Sequence, residues 1–313
     1  MHRPAQLVPL KLIAFPGAPN LPIFAALEHG DFAREGVAVE LETTPSSKFQ
    51  IESLVAARFD IAATAFDNVV AYCEGQGAVE FATPPDLFVF MGATRIELSL
   101  VVAPEVQSFE DLRGKTLALD ALATGFAFVL YHMLERAGLS LEDCELATVG
   151  ATPQRWEAVR DGKAAGTLMI EPFTSVARAQ GFHVLATSGD SLAHYQGGVF
   201  TASRGWAKAH ARELQAFIRG YLAGLAWTLD PANAAAATAL LLERMPAIKP
   251  AVAPAVIAKL LDPATGLTPG GSIDRDGMRS VLDLRSRYAT PTKPLASLEG
   301  YLDLAYYAAA TER

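Results

Sequence analysis

The residues of this 313-residue chain best suited to bind or react fall where a short apolar strand-like run gives way to a helical one. The fullest such junction is 114–134. Thr116-Leu117-Ala118-Leu119 reads as a strand, a small-residue turn follows, and Thr124 precedes apolar residues at 126, 129, 130, 133 and 134 in helical period. With Thr124 as N-cap, the first-turn N–H groups and the positive end of the helix dipole face the turn, which suits a carboxylate or similar anion. Gly125 lets a ligand approach the backbone closely.

Equivalent junctions supply the other candidates. They are Asn20; Thr64, Phe66, Asp67 and Asn68; Thr94 and Arg95; then, with Thr124, Gly125 and Phe126, also Thr152, Gln154 and Glu171; and His194, Tyr195 and Gln196. Ligands of open α/β sheets bind at the carboxyl ends of strands, which is where these residues fall. Most carry a structural alternative. Asp67 either caps the helix it opens or faces a ligand. Arg95, beside Glu97, is either half of an ion pair at a chain crossing or a bidentate clamp for a carboxylate. Glu171, before Pro172, either caps the next helix or receives a ligand amine or hydroxyl. Phe66 and Phe126 either pack or stack on a flat ring. His29, His132 and His210 lie on helical runs and His183 begins a strand, so His194 alone among these sits beside a crossing.

The elements that must position these groups alternate. Strands are expected at 10–15, 37–41, 60–65, 87–93, 98–102, 116–119, 145–149, 167–170, 184–187 and 198–202, with helices from 21, from 46 or 47 to 57, from 67 to 73, from 124 and over 152–161. Pro16, Gly17 and Pro19 break the first strand from its helix. Alternation of this kind predicts largely parallel sheets covered on both faces. From 204 onward the pattern is helical, with apolar spacing at Leu214, Phe217, Ile218, Tyr221 and Leu225. That tail has no sheet of its own, so it is expected to return to the first. Lobe one would then comprise 1–97 and 196–313, and lobe two 98–195, with a ligand cleft between them and crossings near 96–98 and 194–197.

Composition narrows the function. At 51% hydrophobic and 19% charged, the chain is globular, and a net charge of −8 without a basic run excludes nucleic acid as a partner. Cys73 and Cys144 show no disulfide or metal spacing and read as packing residues. No Ser/His/Asp order, phosphate-binding loop, dinucleotide fingerprint or HExxH motif appears, so neither a cofactor nor a metal is expected. No run approaches the ~20 apolar residues of a membrane span. Residues 1–6 lead straight into a strand without an apolar leader core, so the expected location is periplasmic if a leader has been removed and cytoplasmic otherwise.

Four stretches together resemble one family. They are Gly30-Asp31-Phe32-Ala33-Arg34-Glu35-Gly36-Val37, Phe59-Asp60-Ile61-Ala62, 111–118 from Asp111-Leu112-Arg113-Gly114, and 162–167 leading to Glu171-Pro172-Phe173. Over nearly its whole length the chain resembles the type II periplasmic-binding-protein-like fold of sulfonate, nitrate and thiamine-pyrimidine binding proteins. The resemblance implies two α/β lobes and a solute-binding protein that delivers a small anionic or aromatic molecule to an ABC-transporter permease by hinge closure. The same fold hosts enzymes resembling thiamine-pyrimidine synthase, an aromatic sulfinate desulfinase and a decarboxylase. On that alternative the chain is a cytoplasmic enzyme in which His194 or Glu171 moves protons.

Overall fold

Pro16 and Pro19 stop the first strand as their fixed φ demands: β1 (Val8–Ala14) yields to a tight turn and then helix α1 (Leu21–Glu28). The computed structural model describes residues 7–312. Gly30, at φ 71°, separates α1 from the single turn α2 (Asp31–Arg34), and Gly36, at φ 92°, turns the chain into β2 (Val37–Thr43). Ser46 caps α3 (Ser47–Val55) by accepting from Phe49 N at 3.2 Å. There follow β3 (Ile61–Ala65), α4 (Phe66–Cys73) and β4 (Leu87–Thr94), the last buried at every residue, as a strand covered on both faces must be.

The cycle then repeats as β5 (Ser99–Val102), β6 (Thr116–Leu119), α5 (Gly125–Arg136), β7 (Glu145–Thr148) and α6 (Thr152–Arg160). It continues through β8 (Gly166–Met169), α7 (Phe173–Arg178), β9 (His183–Thr187) and β10 (Gly198–Ser203). The strands form two five-stranded sheets, ordered β2-β1-β3-β10-β4 and β7-β6-β8-β5-β9. Each is parallel apart from one inserted strand, β10 or β5, which runs antiparallel to both its neighbours. The two orders are the same. In each, the inserted strand is the one that enters from the other sheet.

The crossings between the sheets, 95–98 and 188–197, run side by side. Gly197 N donates to Arg95 O at 3.0 Å, Ser188 N to Leu98 O at 2.8 Å, and Leu98 N to Ser188 Oγ at 3.1 Å.

The tail comprises α8 (Arg204–Ala209), α9 (Ala211–Leu229), α10 (Ala234–Arg244), α11 (Ala253–Leu261), α12 (Arg275–Tyr288) and α13 (Ala305–Thr311). It is not helical throughout, because Leu267 bridges to Thr94 and Leu302 to Val89, extending the pairing of β4. Helix α9 lies on α1 and α2, and its Phe217 and Tyr221 pack edge-on to Phe200 of β10. Helix α12 instead lies against both α4 and α5. Its buried Met278, Val281 and Leu282 belong to an apolar cluster drawing on both sheets, and each such burial is worth about 1.5–3 kcal/mol. The tail therefore reaches beyond the first sheet.

Candidate functional site

Between the carboxyl ends of the two sheets lies a cavity of about 860 Å³, its open mouth included. From the first sheet and its tail come Phe15, Asn20, Ile23, Ser47, Thr64, Asn68, Thr94, Phe200 and Tyr221. The second contributes Asp120 after β6, Thr124, Gly125 and Phe126 at the start of α5, Thr152 and Arg155 on α6, and Ile170 after β8. The body is apolar and rich in aromatic rings. Polar groups are few, as is usual for a small-molecule pocket.

Several contacts join the two sides across this cleft. Ser47 N donates to Asp120 Oδ2 at 3.1 Å, Ala151 N to Pro45 O at 3.1 Å and Ala18 N to Glu171 O at 3.1 Å. Gly125 N donates to Asp67 Oδ2 at 2.5 Å. A Cβ on Gly125 would lie 2.5 Å from Asp67 Cβ and Cγ, so this approach requires glycine.

The helix terminus at Thr124 is therefore less open than its sequence suggests. Thr124 is the N-cap, accepting from Ala127 N at 3.4 Å, and Gly125 N is taken by Asp67. Phe126 N–H is left as the first-turn donor without a partner among the described residues.

Asn20, Thr64, Asn68, Thr124, Gly125, Phe126 and Thr152 line the cavity, together with Thr94. The remaining candidates lie elsewhere, each for a visible reason. Phe66 is fully buried and packs edge-on to Tyr301. Asp67 neither caps α4 nor meets the cavity: Arg285 Nη1 donates to its Oδ1 at 2.7 Å and Gly125 to its Oδ2, with both side chains out of water. Burial pushes the Asp67 carboxyl up from its ordinary value, and the Arg285 charge and the two hydrogen bonds oppose that rise. Arg95 stands off the cavity at the crossing and forms no pair with Glu97, which takes Lys259 Nζ at 2.8 Å instead. His194 is half exposed, its Nδ1 3.2 Å from Asp274 Oδ2 at the cap of α12. Gln196 is spent on the backbone of Thr94 and Gly198, while Gln154 and Tyr195 lie outside the wall.

Glu171 opens onto a separate recess beside the cavity, with Glu97, Thr174 and Lys259. It accepts from Ser175 Oγ at 3.0 Å and Ser175 N at 3.4 Å, and burial raises its carboxyl above the ordinary range.

Asp120, Arg155, Ser47 and Tyr221 enter the wall without having been singled out from sequence. Two of them were legible. Asp120 ends the strand that opens the 114–134 junction, and Arg155 lies three residues beyond Thr152, hence on the same helix face. Arg155 is 2% exposed; its Nη1 donates to Leu168 O at 2.9 Å and its Nη2 to Thr152 Oγ1 at 2.8 Å. Burial lowers its guanidinium to about 10, with the Asp120 charge opposing the fall, so it is protonated at neutral pH. Its plane stands 5.7 Å from the centre of the Phe126 ring.

No group of three or more His, Cys, Asp and Glu gathers as a metal site among the described residues, and no described helix is long and apolar enough to cross a membrane.

Solved structures share this architecture end to end. A nitrate-binding periplasmic protein, NrtA of Synechocystis PCC 6803, superposes with a TM-score of 0.79 at 14% identity, over 98% of this chain and 89% of that one. The ligand-binding component of an ABC-type import system from Staphylococcus aureus, solved with zinc bound, gives 0.78 at 11% identity over 98% and 100%. The alkanesulfonate-binding protein SsuA of Xanthomonas axonopodis pv. citri, bound to MOPS, gives 0.74 at 18% identity over 96% and 99%. Likeness at these identities establishes a two-lobed periplasmic-binding-protein fold. No curated protein matches the chain in sequence. The NMT1-like family model matches residues 4–242, well over half of the sequence, and the chain belongs to that family.

Proposed function

We propose that this protein is the solute-binding component of an ABC-type importer, capturing a small organic molecule with an aromatic or otherwise apolar body. The observation that carries the reading is the cavity whose wall is drawn from both sheets while hydrogen bonds at Ser47–Asp120 and Asp67–Gly125 hold its two sides together. A ligand there touches both sides at once, so it favours the closed arrangement over an open one. Lobe one is 1–97 with 196–313, and lobe two is 98–195. Strand membership supports that division, and α12 is the joint that both lobes share. The receiving partner is a permease, and the working place is periplasmic. His194 lies away from the cavity and Glu171 opens on the neighbouring recess, so the geometry favours capture over proton-transfer chemistry.

Native mass spectrometry of the purified protein tests capture, and small-angle scattering before and after removal of a retained molecule tests closure. A retained small molecule, and a larger radius of gyration once it is gone, are the expected results. Gly125→Ala should hold the cleft open, giving the larger radius in both states. A chain that carries no small molecule, with a radius indifferent to both treatments, would sink the reading.

A further inference from the structure

The start of α5 is the anion seat that the 114–134 sequence invites, and the chain fills it from within. Asp67 brings its own carboxylate there: Oδ2 accepts from Gly125 N at 2.5 Å, and Arg285 balances the charge out of water. Thr124 Oγ1 takes Ala127 N and donates to Ala121 O at 3.1 Å, so the cap is closed as well. A ligand carboxylate or sulfonate at this helix end would stand beside the Asp67 carboxylate, with one neutral N–H, that of Phe126, left to meet it.

The rest of the cavity wall receives a charge no better. Among the described residues of the wall, Arg155 is the one basic side chain and Asp120 the one acidic. Arg155 is 2% exposed and turns its two terminal nitrogens to Leu168 O and Thr152 Oγ1. Asp120 gives Oδ2 to Ser47 N, while its Oδ1 and the Arg155 Nε are shut away from open space. The amide donors are engaged too, Asn20 Nδ2 with Phe15 O at 2.8 Å and Asn68 Nδ2 with Thr64 Oγ1 at 2.9 Å. The surface left to the cavity is mainly apolar, and both sheets contribute to it. A charged group leaving water for this wall loses its hydration and finds no free counter-charge. An apolar ring gains by its burial there.

We infer that the ligand is an uncharged, largely hydrocarbon molecule of ring size, held between Phe15, Ile23 and Phe200 on one side and Phe126 and Ile170 on the other. This inference rests on the solute-capture reading and names the ligand class of the same site. The carboxylate that the α5 terminus attracts is part of the protein.

Naphthalene, 2-naphthoate and 2-naphthylmethylammonium share a body and differ in charge, so calorimetric titration of all three into the ligand-stripped full chain is the test. Naphthalene should bind at least about tenfold more tightly than either ion. Phe126→Ala, at a half-buried position, should weaken naphthalene by about fivefold or more. The parental ranking decides the charge question even if that variant folds poorly. Tightest binding by either ion overturns the uncharged assignment while leaving capture intact, and naphthalene binding indifferent to Phe126→Ala overturns its placing in this cavity. Silence from all three at sub-millimolar concentration overturns the hydrocarbon assignment, and capture is then judged separately by the retained molecule in native mass spectrometry.

Discussion

Two places in this molecule bring a carboxylate and a guanidinium to the cleft between the sheets, and one is finished where the other is not. In the first, Arg285 Nη1 meets Asp67, its Nε donates to Gln76 Oε1 at 3.2 Å, its Nη2 donates to Gln76 O at 3.0 Å, and its face covers the Phe128 ring at 4.9 Å. Asp67 is completed by Gly125 N. In the second, Asp120 and Arg155 line the cavity, and each keeps one buried atom without a hydrogen-bond partner among the described residues. A charge pair whose bonds all close within the chain holds parts together. Asp120 and Arg155 do not pair with each other, so neither holds the other in place as Arg285 holds Asp67.

The contrast breaks first at Arg285. Arg285→Met strands Asp67 out of water and should cost about 3–5 kcal/mol in urea unfolding. A loss below about 1 kcal/mol would mean the completed pair is not structural. Arg155→Met removes bonds to one carbonyl and one hydroxyl, so its expected cost is smaller, about 1–3 kcal/mol. Equal losses of stability at Arg285 and Arg155 would erase the distinction. Thr124→Ala removes the cap of α5 at the edge of both sites and should cost about 1 kcal/mol, read from the same unfolding curves.

The smallest expected effect is at Glu171, whose folded pKa is raised by burial. A raised carboxyl favours the fold fully below its unfolded value and loses that contribution as pH rises through the folded value. Glu171→Gln should therefore match the parent in melting temperature in acid and gain on it as pH climbs out of the ordinary carboxylate range. A gain that shrinks with rising pH would contradict the assignment.

The sequence carries the fold more openly than it carries the site. The 2.0 and 3.6 periods, the prolines at 16 and 19 and the caps at Ser46 and Thr124 are local signals, and the elements formed where those signals stood. The partner of Asp67 stands 218 residues away on α12, where Arg285 reads as one of several charges on an amphipathic helix. An aspartate at the head of a helix has a ready local explanation, and only the packed structure shows it serving α5 instead. Arg95 misleads in the opposite sense. Its neighbour Glu97 offers a ready partner in sequence, yet the crossing turns through Ile96 at φ 59°, and Glu97 pairs with Lys259. Tyr221 reaches the cavity from the tail with no signal beyond its place in an apolar stripe.

The sheet order has a consequence for how the chain comes off the ribosome. Strand β10 is inserted between β3 and β4, and β4 hydrogen-bonds to no other strand of its sheet. While β5 to β9 are being made, β4 is a largely apolar segment without its strand partner, and β3 shows a bare edge. The second sheet is built from one uninterrupted stretch and has every strand in hand before the first is closed. Synthesis is thus expected to yield a finished second half attached to an aggregation-prone first half, whose protection until residues 198–203 emerge falls to chaperones.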